Sequence, residues 1–289
     1  MGIRFRSGDR LFSVFVYAFL TLFTLMIAFP LLYVVTTSFA PVQDYYTRGF
    51  FLFPSKWTLE AYKYLLYNPG FISAFKSSVI ITVFGTLINI TITSMMAYGL
   101  SEHWLKGRSL FNFMILFTML FSGGLIPTYL VIDGLGLIDT YWALWLPAAI
   151  APFNIIVMRS FFGSLPYELK ESARIDGCGE WRLFASIIIP LSKPAIATFT
   201  LFYMVGNWNT YFGAIIYLND NSKWPLQVFL RQMLIINDDK IGQLAEPIYA
   251  YTPAARMAAI LITAVPLLII YPFLQKHFNK GMFVGSVKG

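Results

Sequence analysis

Charge is what this sequence has least of. Only 12% of its 289 residues are Asp, Glu, Lys or Arg, against about 25% in ordinary soluble domains. With 57% hydrophobic residues and a mean hydropathy of +0.65, a soluble core of this size could not hide the apolar surface. The single cysteine, Cys178, excludes an internal disulfide and any Cys-cluster metal or redox motif. His103 and His277 flank apolar runs with no second ligand at helical spacing, so no metal site is expected. No GxxxxGKS or GxxxxGKT loop is present to cradle ATP phosphates. The net charge of +7 comes from basic residues scattered singly, which disfavours nucleic acid as a partner.

What the chain does have is six apolar runs, at about 11–35, 79–100, 110–132, 141–161, 195–218 and 257–274. Each approaches or exceeds the roughly 18–20 residues needed to cross a bilayer as a helix. Barrel strands would be about ten residues long with strict alternation, which is not seen. Arg4, Arg6 and Arg10 precede the first run, but its 25 residues exceed the ~7–15 of a cleavable signal. It is therefore expected to remain as a first helix in one transmembrane domain covering 1–289. With the N-terminus inside, six spans return the C-terminus inside. Thirteen of the 21 Lys and Arg residues then lie inside, the bias expected of cytoplasmic segments. The two long outer segments run from about Ala40 to Ser78 and from about Asn219 to Arg256.

Within the six runs the one Lys, Arg, Asp, Glu or His is Arg159, near the cytoplasmic end of the fourth. Ion-coupled transporters need titratable groups at membrane depth as relays, so a proton-driven mechanism is disfavoured. Polar uncharged residues do occur, notably Asn89 in the second run and Asn207 and Asn209 in the fifth, with Trp208 and Tyr211 beside them. Two readings stand for these five. They form interhelical hydrogen bonds, or they line a pathway in which amides bond hydroxyls and aromatic faces stack on sugar rings.

Against this dry background, the window from Glu168 to Lys193 holds eight of the 35 charged residues. Pro166 suits a first helical turn, Glu168 complements a helix N-terminus, and Gly177 is a C-terminal stop. Leu169, Ser172, Ala173 and Asp176 then share one face, small enough in part for another protein to approach closely. A second helical stretch, Glu180 to Ile189, is expected to end at Pro190, and Pro194 to open the fifth span. From these features alone, a docking element and a helix lying on lipid are equally admissible.

The spacing carries a resemblance. Glu171-Ser172-Ala173, three residues, Gly177, nine residues and Ile187-Ile188-Ile189-Pro190 is similar to the EAA motif of binding-protein-dependent ABC importer permeases. Ser172 stands for the first Ala and Ile189 for the Leu. Asp176, Phe184 and Pro194 also match the usual form. The six runs, the long first outer loop and the tail YPFLQKHFNKGMFVGSVKG resemble the MalG-type carbohydrate permeases, most of all the branch importing complex saccharides (the LplC/YtcP-like group and the second permease of alginate importers).

This resemblance implies an all-α, type I importer (MetI-like) fold in a bacterial cell membrane, both termini cytoplasmic. It implies a second permease subunit, two ATPase subunits, an extracellular solute-binding protein and a sugar substrate. The chain itself would be no enzyme and carry no cofactor, ATP and magnesium residing on the ATPases. The cytoplasmic loop at about 163–193 would seat in an ATPase through Glu171, Ser172, Ala173, Arg174, Asp176, Gly177 and Pro190. The outer segment near Asn219 to Arg256 would reach the binding protein. The motif does not separate sugar from an amino acid or phosphate; the tail and overall likeness favour sugar. A secondary transporter or a structural membrane subunit is disfavoured by the EAA spacing and the uncharged spans.

Overall fold

Helices form wherever the apolar runs persist, and they break at a glycine pair and at closely spaced prolines. The computed structural model describes residues 7–235 and 252–281, with side chains placed over 12–235 and 252–272. No strand occurs among the described residues. In chain order the helices are α1 (Ser7–Ser38), α2 (Val42–Arg48), α3 (Glu60–Tyr67), α4 (Pro69–Ser101), α5 (Arg108–Leu120), α6 (Leu125–Gly134), α7 (Trp142–Trp145), α8 (Pro152–Gly163) and α9 (Tyr167–Ile175). Then come α10 (Glu180–Leu191), α11 (Lys193–Trp208), α12 (Phe212–Tyr217), α13 (Leu226–Ile235) and α14 (Pro253–Gly281).

Three of the six expected spans are single helices long and apolar enough to cross a membrane: Phe12–Ser38, Pro69–Ser101 and Pro253–Pro272. The other three runs depart from the continuous helices that hydropathy predicts. The run at 110–132 is two helices, α5 and α6, meeting at 116°. Gly123-Gly124 makes that break, Gly124 holding φ at +88°, a conformation in which other residues are strained. Pro127, three residues into α6, sits where an N–H has no helical partner anyway.

The run at 141–161 divides into α7 and the 12-residue α8, with Pro147 and Pro152 removing two backbone donors between them. In the run at 195–218, α11 ends at Trp208 and α12 begins at Phe212. Its 16 residues rise about 24 Å. The preceding α10 does not stop at Pro190 but continues to Leu191 through a π-helical turn, Phe184–Ile188, and meets α11 at 85°. Counting each of the two bent pairs as one span gives up to five candidates among the described residues.

The chain divides into two compact units. The first comprises Met1–Asn68 and Leu230–Ala264. In it α1 is apolar on every side, and its most apolar stretch buries none of its residues, as a helix made to face lipid or another protein does. At its end Thr36, Thr37 and Ser38 turn their hydroxyls onto carbonyls a turn back, satisfying those three groups within the helix. Asp44 pins the segment after α2 by accepting from the Ser55 backbone N–H and hydroxyl at 2.7 and 2.6 Å.

The second unit, Pro69–Phe229 and Val265–Gly289, is organised on α4. Ser78, Thr82, Gly85, Asn89, Thr93 and Ala97 recur every three or four residues and are all buried, while Val83, Phe84 and Leu87 are exposed. That stripe of small and hydroxylated side chains lets α8 and α11 pack closely, which is how helices associate where no hydrophobic force separates protein from lipid. The end of this unit that carries the 133–140 connection is tied down by Asp139, which accepts from the N–H groups of Asn219 and Asp220 at 3.0 and 2.9 Å and from Lys223 Nζ at 2.6 Å. Lys223 and those N–H groups hold the Asp139 carboxyl below its ordinary range.

Candidate functional site

The EAA-like loop folds as its residues require. Glu168 lies in the first turn of α9 and Arg174 in the last, both signs favourable to the helix dipole. Gly177 takes φ +78°. Its N–H bonds the Arg174 carbonyl at 3.0 Å and the Cys178 N–H bonds the Ala173 carbonyl at 2.9 Å. Those two bonds form a Schellman cap, for which glycine is the residue of least strain.

The two faces of α9 do different work. Glu168, Leu169, Glu171, Ser172, Ile175 and Asp176 are exposed, Ile175 at 80%. Lys170 and Ala173 are buried and Arg174 is half-buried. Ala173 belongs to a core with Ala97, Tyr98, Met158, Phe162, Leu183 and Ile188. So Ala173 does not share the open face with Ser172 and Asp176 as the helical spacing suggested; it seats the helix on its own chain. The Ile-Ile-Ile segment of the motif serves the same core through Ile188. Pro190 is exposed but sits beside the bend at Ser192, apart from α9.

A closed ring of polar groups holds the buried face. Glu102, one residue beyond α4 and 2% exposed, accepts from Lys170 Nζ at 2.8 Å and from Arg174 Nη2 at 2.7 Å. Arg174 Nε donates to Glu180 at 2.9 Å, and the Tyr98 hydroxyl donates to the second Glu180 oxygen at 2.6 Å. Burial alone would raise the Glu102 carboxyl, but the bonds from Lys170 and Arg174 outweigh it and hold the group below its ordinary 4.5. A carboxyl depressed in the native state stabilises the fold above its unfolded value and loses that contribution as pH falls through its native value. The seat of α9 is therefore expected to persist from neutral pH down to about 4.5 and to loosen below it, as amide exchange over Tyr167–Ile175 would report.

Four of the five expected pathway residues are buried or half-buried in this chain. Asn207 Nδ2 donates to Asn89 Oδ1 at 2.9 Å and lies 3.3 Å from Thr86 Oγ1, and Asn89 in turn donates to the Ala148 carbonyl. Gly85 makes room for this pair, since a Cβ there would stand 2.9 Å from Asn207 Nδ2. Trp208 is buried against Phe75, and Tyr211 packs on the core around Leu144 and Tyr217. Asn209 alone of the five is exposed, engaged by Gln227 Nε2 at 3.1 Å. Sequence reasoning missed Glu102, Tyr98 and the inward role of Lys170. The available signal was Lys170 and Arg174 at i, i+4, which places both cations on one helix face, with an acid directly after a span.

Comparison with known proteins adds to this geometry. The profile of the family described as "Binding-protein-dependent transport system inner membrane component" matches residues 89–284. The chain is 46% identical over 284 residues to the polygalacturonan/rhamnogalacturonan transport system permease protein YtcP of Bacillus subtilis, covering 97% of this chain and 99% of that one. It is 51% identical over 262 residues to protein LplC of the same organism, covering 90% and 89%. Among solved structures, a chain of a bacterial ABC transporter involved in the import of the acidic polysaccharide alginate superposes with a TM-score of 0.88 at 32% identity, covering 96% of this chain and all of that one.

Proposed function

The chain belongs to the binding-protein-dependent transport system inner membrane component family, and we propose that it forms half of the pore of an ATP-driven importer whose cargo is an oligosaccharide or a fragment of a polysaccharide. Its likeness to a polygalacturonan/rhamnogalacturonan transport system permease and to a chain of a transporter involved in the import of alginate supports sugar as the cargo. In this reading the chain is a multi-pass subunit of the bacterial cell membrane, a transport permease rather than an enzyme. A second permease completes the pore, a solute-binding protein delivers sugar outside, and two ATPase subunits hydrolyse ATP within, holding the nucleotide and its magnesium. Both termini are cytoplasmic, in keeping with the Lys and Arg bias.

One observation carries the reading: α9 is locked on its inner face and open on its outer one. The open face presents Glu168, Glu171 and Asp176 around Leu169 and Ile175. An acidic rim around apolar anchors suits a groove that has basic walls and an apolar floor. Glu171, Ser172 and Asp176 are the contact residues, Gly177 fixes the angle of the helix through its cap, and Ala173 and Arg174 support it from behind.

The test is purification of the importer with Glu171→Ala or Gly177→Asp in this subunit. Either change is expected to weaken ATPase association about tenfold, the effect of losing one central contact, with uptake falling in step. Full subunit stoichiometry together with undiminished sugar-stimulated hydrolysis in both variants would refute docking through α9. A panel of oligosaccharides offered to the binding protein would identify the cargo, and exclusive binding of an amino acid or phosphate would overturn the sugar assignment.

A further inference from the structure

The ring around Glu102 makes a mechanical connection that the EAA motif does not include. Both oxygens of this buried carboxylate are committed to cations one turn apart on α9. Tyr98, one turn earlier on α4, closes the ring through Glu180 at the start of α10. We infer that Glu102 is a positioning residue that makes α9 and α4 move as one body, so that displacement of the docked helix enters the bundle through α4. This rests on the reading of α9 as the ATPase-docking helix.

Two routes lead from α9 into the bundle. The covalent one follows α10 into α11, but it crosses the π-helical turn Phe184–Ile188 and the 85° bend at Ser192. Such a turn strains the backbone ladder and is a common site of hinging. The Ser192 hydroxyl, buried at that bend, has no hydrogen-bond partner among the described residues to brace it. The second route is the ring, a set of charge-assisted bonds at 2.6–2.9 Å. Opening it would strand a buried carboxylate, so weaker contacts slide first.

Beyond the ring, α4 is a 33-residue helix bonded to α11 through its middle turns. Thr93 meets the Tyr203 hydroxyl at 2.6 Å, and Asn89 meets Asn207 at 2.9 Å. At the outer end Ser78 accepts the Leu226 N–H and Ser77 lies 3.3 Å from the Ser222 carbonyl. One helix thus links the cytoplasmic loop with the outer turn of the same unit.

The experiment uses the assembled importer with Cys178→Ser and spin labels at Met95→Cys on α4 and Tyr167→Cys on α9, both exposed positions outside the proposed docking contacts. The interlabel distance is read by pulsed electron resonance without nucleotide and with ATP trapped by vanadate. The inference expects one unchanged distribution in both states. With Glu102→Gln added, the trapped distribution should shift and broaden while the ATPase subunits still co-purify. In proteoliposomes supplied with a galacturonan oligosaccharide, sugar moved per ATP hydrolysed should then fall about fivefold or more, the range of coupling between distant sites. Glu102→Asp, which keeps the charge, should restore part of it.

A parental distance that changes between the two states overturns the inference without any variant at position 102, as does a Glu102→Gln importer with parental distance and ratio. Lys170→Met, which spares the Arg174 bond, should give an intermediate shift and serves if Glu102→Gln fails to assemble. Failure of the docking reading looks different: ATPase subunits would remain bound when Glu171 is replaced, whatever the α4–α9 distance does.

Discussion

Ser172→Trp is expected to abolish sugar uptake without lowering thermal stability, whereas Ala173→Trp is expected to lower both. The two positions are adjacent and both small, and either would count as part of the motif's small pair. Their surroundings differ. Ser172 is exposed, its hydroxyl turned back on the Glu168 carbonyl at 2.8 Å. An indole there meets solvent, changes helix propensity by only tenths of a kcal/mol, and fills the space an ATPase groove would occupy. Ala173 is 9% exposed, in a core shared with Tyr98, Phe162 and Ile188.

Overpacking at such a site costs about 1–3 kcal/mol, occasionally more. It would also pull Lys170 and Arg174 away from Glu102. Melting of the detergent-purified permease and co-purification of ATPase subunits separate the two effects. The Ser172 variant should melt with the parent yet lose its ATPase, and the Ala173 variant should melt several degrees lower. A Ser172→Trp permease that transports normally would show that this face of α9 contacts nothing in the working importer.

The difference between those neighbours also marks the limit of what could be read from the sequence. Spacing placed Leu169, Ser172, Ala173 and Asp176 on one stripe, but a stripe spans about 100° of the helix and its edge can face either way. Lys170 is what turns Ala173 inward, and lysine is rarely buried unless paired. Its partner lies 68 residues earlier in the chain, beyond any helical spacing rule. The cap was legible because it is local, with Pro166, Glu168 and Gly177 acting within a few residues of themselves. The all-helical class was legible because run length decides it. The broken spans were not, since hydropathy averages over a window that swallows the Gly123-Gly124 corner and the turn between Trp208 and Phe212. Nothing in local pattern says that a π-turn carries α10 past Pro190.

Asn89→Leu and Asn209→Ala are expected to separate stability from transport in the opposite sense. Replacing Asn89 removes the acceptor of Asn207 Nδ2 and the donor to the Ala148 carbonyl at once. Interhelical hydrogen bonds in membranes average ~0.6 and reach ~1.7 kcal/mol, so losing both at a 2% exposed site should cost about 1–2 kcal/mol. Melting should fall, and uptake should fall with the amount of folded permease, at an unchanged half-saturating sugar concentration. Asn209 follows the α11 C-terminus and is exposed with Gln227 beside it. Its loss removes little packing, so Asn209→Ala should leave melting unchanged and raise half-saturation a few-fold, the signature of a contact made to bound cargo. Should Asn89→Leu shift half-saturation at constant melting while Asn209→Ala is silent, the pathway would run along α4 and the Asn89–Asn207 pair would have to open during transport. With Gly85 leaving room for the Asn207 amide, the geometry favours a pair that holds α4 to α11 and an exposed amide, Asn209, whose one side-chain bond to Gln227 a sugar hydroxyl could replace.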